Sequence, residues 1–244
     1  EMIRSLKSRK IKTLLLNARI SKKSYERWRY LKKFKINMFK NFDYIFPQNK
    51  ETMNYLKCFR LNNLKIIGNL KFSESKKKKK YANLPKKFIK RKILCAASTH
   101  NNEEEIILSI HQRLNKDLKD LLTILIPRHV DRAKEITEIL NSKNLNFVLH
   151  SEGRKLKKNT DVYLVDTYGE SKAFYSISNV VFLGGSFVLK GGQNPLEAIR
   201  CGCNVVHGKH IFNFTEIYNM LRNNKLSFEA KNYNQLKKII LTLL

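Results

Sequence analysis

Four apolar runs in this chain end in residues that can do chemistry. The run 91–97 leads into Ser98-Thr99-His100, and 121–126 into Pro127-Arg128-His129. The run 161–165 leads into Asp166-Thr167 and Gly169-Glu170, and 180–183 into Gly184-Gly185-Ser186. The last is the most concentrated: of nine glycines in 244 residues, five fall between Phe182 and Val206. Gly184 and Gly185 let the backbone leave a strand tightly and approach a ligand, and Gly191 and Gly192 do the same before the next helix. Asn194 reads as an N-cap with Pro195 at the first helical position. The start of that helix suits a phosphate or a carboxylate. Glu197, three residues after Asn194, either closes a capping box or accepts hydrogen bonds from a ribose diol. Arg128 either pairs with a phosphate through its planar fork or is a surface arginine beside a helix. His100 and His129 are weaker candidates, able simply to orient loops. Ser98 and Glu170 read first as helix-start residues.

These residues need elements to hold them. From residue 88 the pattern alternates strand and helix: "KILCAAST", "NNEEEIILSIHQRLNK", "LLTILIPRH", "VDRAKEITEILNS", "NFVLHS", "VYLVDT", "GESKAFYSIS", "NVVFLGGS", "NPLEAIRCG", "NVVHG", "NFTEIYNMLRNN" and the final helix "NYNQLKKIILTLL". Strands alternating with helices of about ten residues imply an α/β fold, a parallel sheet flanked by helices. In such a sheet ligands bind beyond the carboxyl ends of the strands, so all four endings would share one rim. Residues 1–72 alternate in the same way, with a strand in 10–21, an amphipathic basic helix at 23–42, a strand at 44–49, a helix at 50–61 and a strand at 64–72. They read as the C-terminal half of a first α/β domain. The helix at 23–42 is either an ordinary surface helix or a membrane-contact one. Between the halves, "SESKKKKKYANLPKK" (73–87) carries five consecutive lysines and reads as an exposed Lys-rich linker. Residues 88–244 form the second, Rossmann-like domain.

The 42% hydrophobic fraction is that of a globular protein. No apolar run reaches the roughly 18–20 residues needed to cross a bilayer. The net charge of +29 favours anionic partners, although Lys, Asn and Ile are also the residues of AT-rich codons. No nucleic-acid motif accompanies the charge, and aromatics are not interleaved with the basic run, so nucleic acid is not the expected partner. An anionic membrane surface is. Cys58, Cys95, Cys201 and Cys203 lack zinc-site or thioredoxin spacing and read as reduced and mostly buried, in a cytoplasmic protein. His207 and His210 lack companions for a metal site, and none is expected.

The ordered motifs resemble those of the bacterial 3-deoxy-D-manno-octulosonic acid (Kdo) transferases. "LNARISKKS", "YIFPQN", "GNLKF", "AASTHNNEEEIIL", "LIPRHVDRAKEI", "VDTYGE" and "GGSFVLKGGQNPLEAIRCGCNVVHGKHIFNFTEI" look like blocks of that family in the same order, from Lys10 to about Asn219. The resemblance implies the GT-B type glycosyltransferase fold, two Rossmann-like domains, of which the first would be incomplete here. It implies a glycosyltransferase moving Kdo from CMP-Kdo to a lipid A precursor (lipid IVA) in lipopolysaccharide synthesis, at the cytoplasmic face of the inner membrane, with no metal or other cofactor. Carried over by motif, Arg128, Gly185, Ser186, Asn194 and Glu197 would bind CMP, and Lys71 of "GNLK" would reach the donor. The family's membrane anchor and its general base are expected upstream of Glu1, so no catalytic residue is assigned. The chain departs from the family pattern at Asn102, where Gly is common, at Leu189-Lys190, where Pro-His stands, and at Gln193, which replaces a His. A glycosyltransferase using another nucleotide sugar and an inactive donor-binding fragment are the alternatives, and a basic nucleic-acid-binding protein the remote one.

Overall fold

In the computed structural model, the described residues are 1–29, 32–61, 63–65, 88, 91–118, 120–153 and 156–244. The chain divides into two compact units, Glu1–Lys77 and Lys78–Leu244. The lysine-rich segment 73–87, expected as a linker, lies outside the described residues.

The first unit contains α1 (Met2–Ser8), β1 (Leu14–Ala18), α2 (Lys22–Arg29), α3 (Lys32–Phe39), β2 (Tyr44–Pro47) and α4 (Lys50–Lys57). β1 and β2 pair in parallel, Leu15 opposite Ile45. One face of the pair packs on Phe39, Leu56, Phe59 and Leu61. The residues between point the other way: Leu14, Leu16 and Tyr44 stay exposed, as a period of two requires. Asn49 caps α4, its Oδ1 accepting from the Thr52 N–H at 2.8 Å. Leu64 makes an isolated bridge to Ile45; the rest of the expected strand at 64–72, from residue 66 on, lies outside the described residues. α1 was not expected: it has no buried residue and hence no apolar period to read.

The second unit is built on β3 (Lys92–Thr99), β4 (Leu121–Pro127), β5 (Phe147–Leu149), β6 (Val162–Leu164), β7 (Val180–Leu183), β8 (Asn204–His207) and β9 (Ser227–Glu229). All pair in parallel, in the order β5-β6-β4-β3-β7-β8-β9. Its helices are α5 (Glu103–Leu114), α6 (Ala133–Ser142), α7 (Ser171–Tyr175), α8 (Leu196–Arg200), α9 (Thr215–Asn223) and α10 (Tyr233–Leu243). The central strand shows why the sheet must be covered twice. Ile93, Cys95 and Ala97 join one core with Phe174, Ala198 and Tyr218 of α7, α8 and α9. Leu94 and Ala96 join another with Ile107 and Leu108 of α5, Ile136 of α6 and Ile240 of α10. A strand apolar on both faces needs helices on both, which is the doubly wound arrangement.

The strand order reverses beside β3. The chain runs from β3 to β4, on to the edge strand β5 and back to β6 between them, then crosses to lay β7, β8 and β9 on the opposite side of β3. The loops after β3 and β7 therefore diverge and leave a crevice at the carboxyl rim, the place where such sheets bind ligands. The four polar endings read from the sequence share that rim. β3 spans the expected "KILCAAST" and passes through Ser98, whose φ of +54° marks the irregularity between Ala97 and Thr99.

β8 ends in His207, fully buried, with Nδ1 2.7 Å from the Gly208 carbonyl and the ring 4.3 Å from that of Tyr218. Burial holds this imidazole below the usual histidine range, against the opposing pull of the Gly208 carbonyl and Glu229. The folded protein keeps His207 neutral where the unfolded chain takes up a proton. Its contribution is thus complete above about pH 6.5 and is lost as pH falls below that value. We expect the thermal midpoint to drop between pH 7.5 and 5.5, and to drop less in His207→Gln; an equal drop in the variant would show that His207 is not responsible.

Candidate functional site

The crevice beside β3 is occupied by the protein's own carboxylate. Glu103, in the first turn of α5, is fully buried. Its Oε2 accepts from the backbone N–H groups of Gly185 at 2.7 Å and His100 at 3.0 Å. Its Oε1 accepts from those of Phe187 at 2.9 Å and Ser186 at 3.1 Å. A buried carboxylate without partners would be strongly destabilising; four amide donors answer it. Successive N–H groups turned onto one point form an anion-binding concavity, here filled from within. Asn102 makes the geometry possible. It starts α5 at φ +74°, in the left-handed region that Asn tolerates better than most residues, which is where the family pattern has Gly. The next residue, Glu104, is buried too, and its Oε1 takes Arg132 at 2.8 Å.

The glycines serve this close packing. A Cβ on Gly184 would lie 2.3 Å from the Ser98 carbonyl oxygen and 2.8 Å from Glu103 Oε2. Gly185 turns the chain at φ +67°, and its carbonyl accepts from the Gly192 N–H at 2.8 Å. A Cβ on Gly191 would meet the Asn213 side chain at 2.3 Å. Gly184 thus lets the loop after β7 lie directly against the backbone at the end of β3. Ser186 likewise faces inward: its hydroxyl donates to the Leu183 carbonyl at 2.6 Å and accepts from the Gly208 N–H at 2.9 Å. It ties the loop after β7 to the loop after β8.

The side chains that face outward are cations and imidazoles. Arg128 is exposed at the end of β4, its N–H held by the Thr99 carbonyl at 2.9 Å. His129 is exposed beside it, edge-on to the His100 ring at 6.2 Å. Burial holds His100 below the usual histidine range, and Lys190 and His129 push the same way, against Glu103 and the Ser98 carbonyl. Lys190 is exposed on the loop after β7.

Further along the rim the groups are acidic. Asn194 caps by donating shape rather than position: its Oδ1 accepts from the Leu196 N–H at 3.2 Å, but the helix starts at Leu196, with Pro195 as the N-cap residue. α8 has only five residues, too short for the phosphate-binding helix start expected at Asn194-Pro195. Glu197 pairs with Lys172 of α7 at 3.1 Å. Glu170 pairs with His150 Nε2 at 2.6 Å and accepts from the Thr167 hydroxyl at 2.5 Å. Lys71 lies outside the described residues. Of the other expected site residues, Arg128, Gly185 and Ser186 meet around β3, β4 and β7; Asn194 and Glu197 follow on α8 and its approach. Glu103 was missed. Its signals were the three-residue spacing from His100, that of a capping box, and three consecutive glutamates in a chain with 20 acidic and 49 basic residues. The cysteines are free, with Cys95 and Cys203 buried and Cys58, against expectation, exposed.

This architecture has solved counterparts. Trehalose-6-phosphate synthase OtsA aligns with 99% of this chain and 61% of its own, at a TM-score of 0.53 and 10% identity, a likeness of fold alone. The C-terminal CMP-Kdo binding domain of WaaA from Acinetobacter baumannii aligns with 64% of this chain and 82% of its own, at 32% identity and a TM-score of 0.61. The fold is thus of the GT-B glycosyltransferase type. A family model described as 3-deoxy-D-manno-octulosonic-acid transferase (kdotransferase) matches residues 1–74. The 3-deoxy-D-manno-octulosonic acid transferase of Rickettsia prowazekii is 33% identical over 96% of this chain, and that of Haemophilus influenzae 35% identical over 90%. The chain belongs to the Kdo transferase family, and it spans about half the length of these relatives, 51% and 53%.

Gly184→Ala should destabilise the second unit by about 1–3 kcal/mol, the usual range for forcing a methyl group into packed atoms. Denaturant unfolding checks this; an unchanged midpoint would show that the Ser98–Gly184 contact is not as close as drawn.

Proposed function

We propose that this chain carries the donor site of a Kdo transferase, one that moves Kdo from CMP-Kdo to a lipid A precursor in lipopolysaccharide synthesis. One observation supports this most: Arg128, His129 and Lys190 stand exposed at the rim of the switch-point crevice, in a chain of this family. A phosphate placed there meets the Arg128 and Lys190 cations, and Arg128 offers a planar fork to its oxygens. Glu197 and Glu170, further along the rim, suit the hydroxyl and amino donors of a nucleoside.

The reaction would be an inverting displacement. An acceptor hydroxyl oxygen bonds to the anomeric carbon of Kdo as the bond from that carbon to the CMP phosphate breaks. A carboxylate base takes the hydroxyl proton, and Arg128 stabilises the charge gathering on the departing phosphate. We assign no residue of this chain as the base. Lys71 is proposed to reach the donor, and no metal is invoked. The acceptor is an anionic lipid, and a surface of net charge +29 is drawn to the membrane face that carries it. The cytoplasmic face of the inner membrane is the proposed location. Among the described residues no helix is long and apolar enough to cross a membrane.

Calorimetric titration of CMP into the chain tests the donor site. We expect saturable binding, tighter than for UDP or GDP. Arg128→Ala and Glu197→Ala should each weaken it about tenfold or more, the worth of one hydrogen bond to a charged group. Failure of the folded wild type to bind CMP would overturn the reading. Equal affinity for UDP would move it to another nucleotide sugar.

A further inference from the structure

The amides that a doubly wound sheet ordinarily turns toward a phosphate are here already spoken for. At the switch point the N–H groups of His100, Gly185, Ser186 and Phe187 all end on Glu103. Three neighbouring donors are also engaged within the protein. The Gly192 N–H goes to the Gly185 carbonyl at 2.8 Å, that of Gly208 to the Ser186 hydroxyl at 2.9 Å, and that of Arg128 to the Thr99 carbonyl at 2.9 Å. The side chains facing outward beside this pocket are Arg128, His129 and Lys190.

From this we infer that Glu103 is a specificity-determining residue: its carboxylate takes the amide pocket that a second phosphate would use, so the site accepts a nucleoside monophosphate and rejects a nucleoside diphosphate. The inference rests on the donor-site reading above and adds to it the residue that counts phosphates. The physical reasoning has two parts. A second phosphate at this pocket finds the His100, Gly185, Ser186 and Phe187 N–H groups already paired, and amide concavities bind anions only while their N–H groups are free. It also lies against a carboxylate held in a buried, low-dielectric place, where like charges repel far more strongly than in water. A single phosphate on the outer cations avoids both. Glu103 touches no ligand in this arrangement. It acts through the loop it holds and the pocket it fills.

The experiment compares CMP with CDP on the full chain by calorimetry, at one fixed ionic strength because both ligands are anions. Wild type should bind CMP at least about tenfold more tightly than CDP. Glu103→Ala, which empties the pocket and frees its amides, should bring the two affinities to within about twofold or reverse their order. Glu103→Gln, which fills the pocket without the charge, should narrow the preference part-way. A merely structural Glu103 would weaken CMP and CDP in proportion and leave their ratio unchanged, which would overturn the inference. Should neither variant fold, wild type alone decides: CDP binding as tightly as CMP overturns it. That outcome leaves the donor-site reading standing, whereas failure of wild type to bind CMP at all removes both.

Discussion

A carboxylate buried on four backbone N–H groups organises this site. Glu103 draws the loop after β3, the loop after β7 and the start of α5 onto one point. Hydrogen bonds to an ionised group contribute about 1.5–3 kcal/mol each, and leaving such a group unpaired costs more. Other features follow from this constraint. Gly184 has no room for a side chain, Gly185 must take a positive φ, and Asn102 must enter α5 through the left-handed region. Ser186 then extends the tie to β8 through Gly208, so three adjacent strand ends form one connected rim.

The rim divides by charge. Near β3, β4 and β7 the exposed groups are Arg128, His129 and Lys190; toward β6, α7 and α8 they are Glu170 and Glu197, each already paired with a base, His150 and Lys172. These pairs are partly exposed, so they are weak and exchangeable for contacts with a ligand. The interior carboxylate is the opposite case, shielded from solvent and held by backbone. One kind of residue, glutamate, thus serves two purposes on the same edge, and burial decides which.

Much of this fold was legible because its strongest signals are local. Strands such as Val180–Leu183, apolar on both faces and followed by helical spacing, announce a covered parallel sheet, and the polar residues after them mark its rim. What could not be read depended on contacts between distant segments. β9 is three residues long, too short to show a period, and exists because Val206 offers Phe228 a free edge. Glu103 looked like one of three helix-start acids. Its four partners are backbone atoms, three of them more than 80 residues away, and no side-chain pattern records them. The glycines stood out in sequence, but the atoms nearest to Gly184 and Gly191, of Ser98 and Asn213, could not be read from it. Asn194 kept its capping bond while the helix began one residue later than its Asn-Pro pair suggested.

The central claim is that the amides of the crevice are satisfied by Glu103 before any nucleotide arrives. Residue-resolved hydrogen exchange on the free protein tests it most directly. The N–H groups of His100, Gly185, Ser186 and Phe187 should be among the slowly exchanging ones without ligand, should change little on adding CMP, and should lose protection in Glu103→Gln. Fast exchange of these four amides in the free wild type, slowed only when CMP is added, would mean that they bind the nucleotide themselves, and would contradict the account.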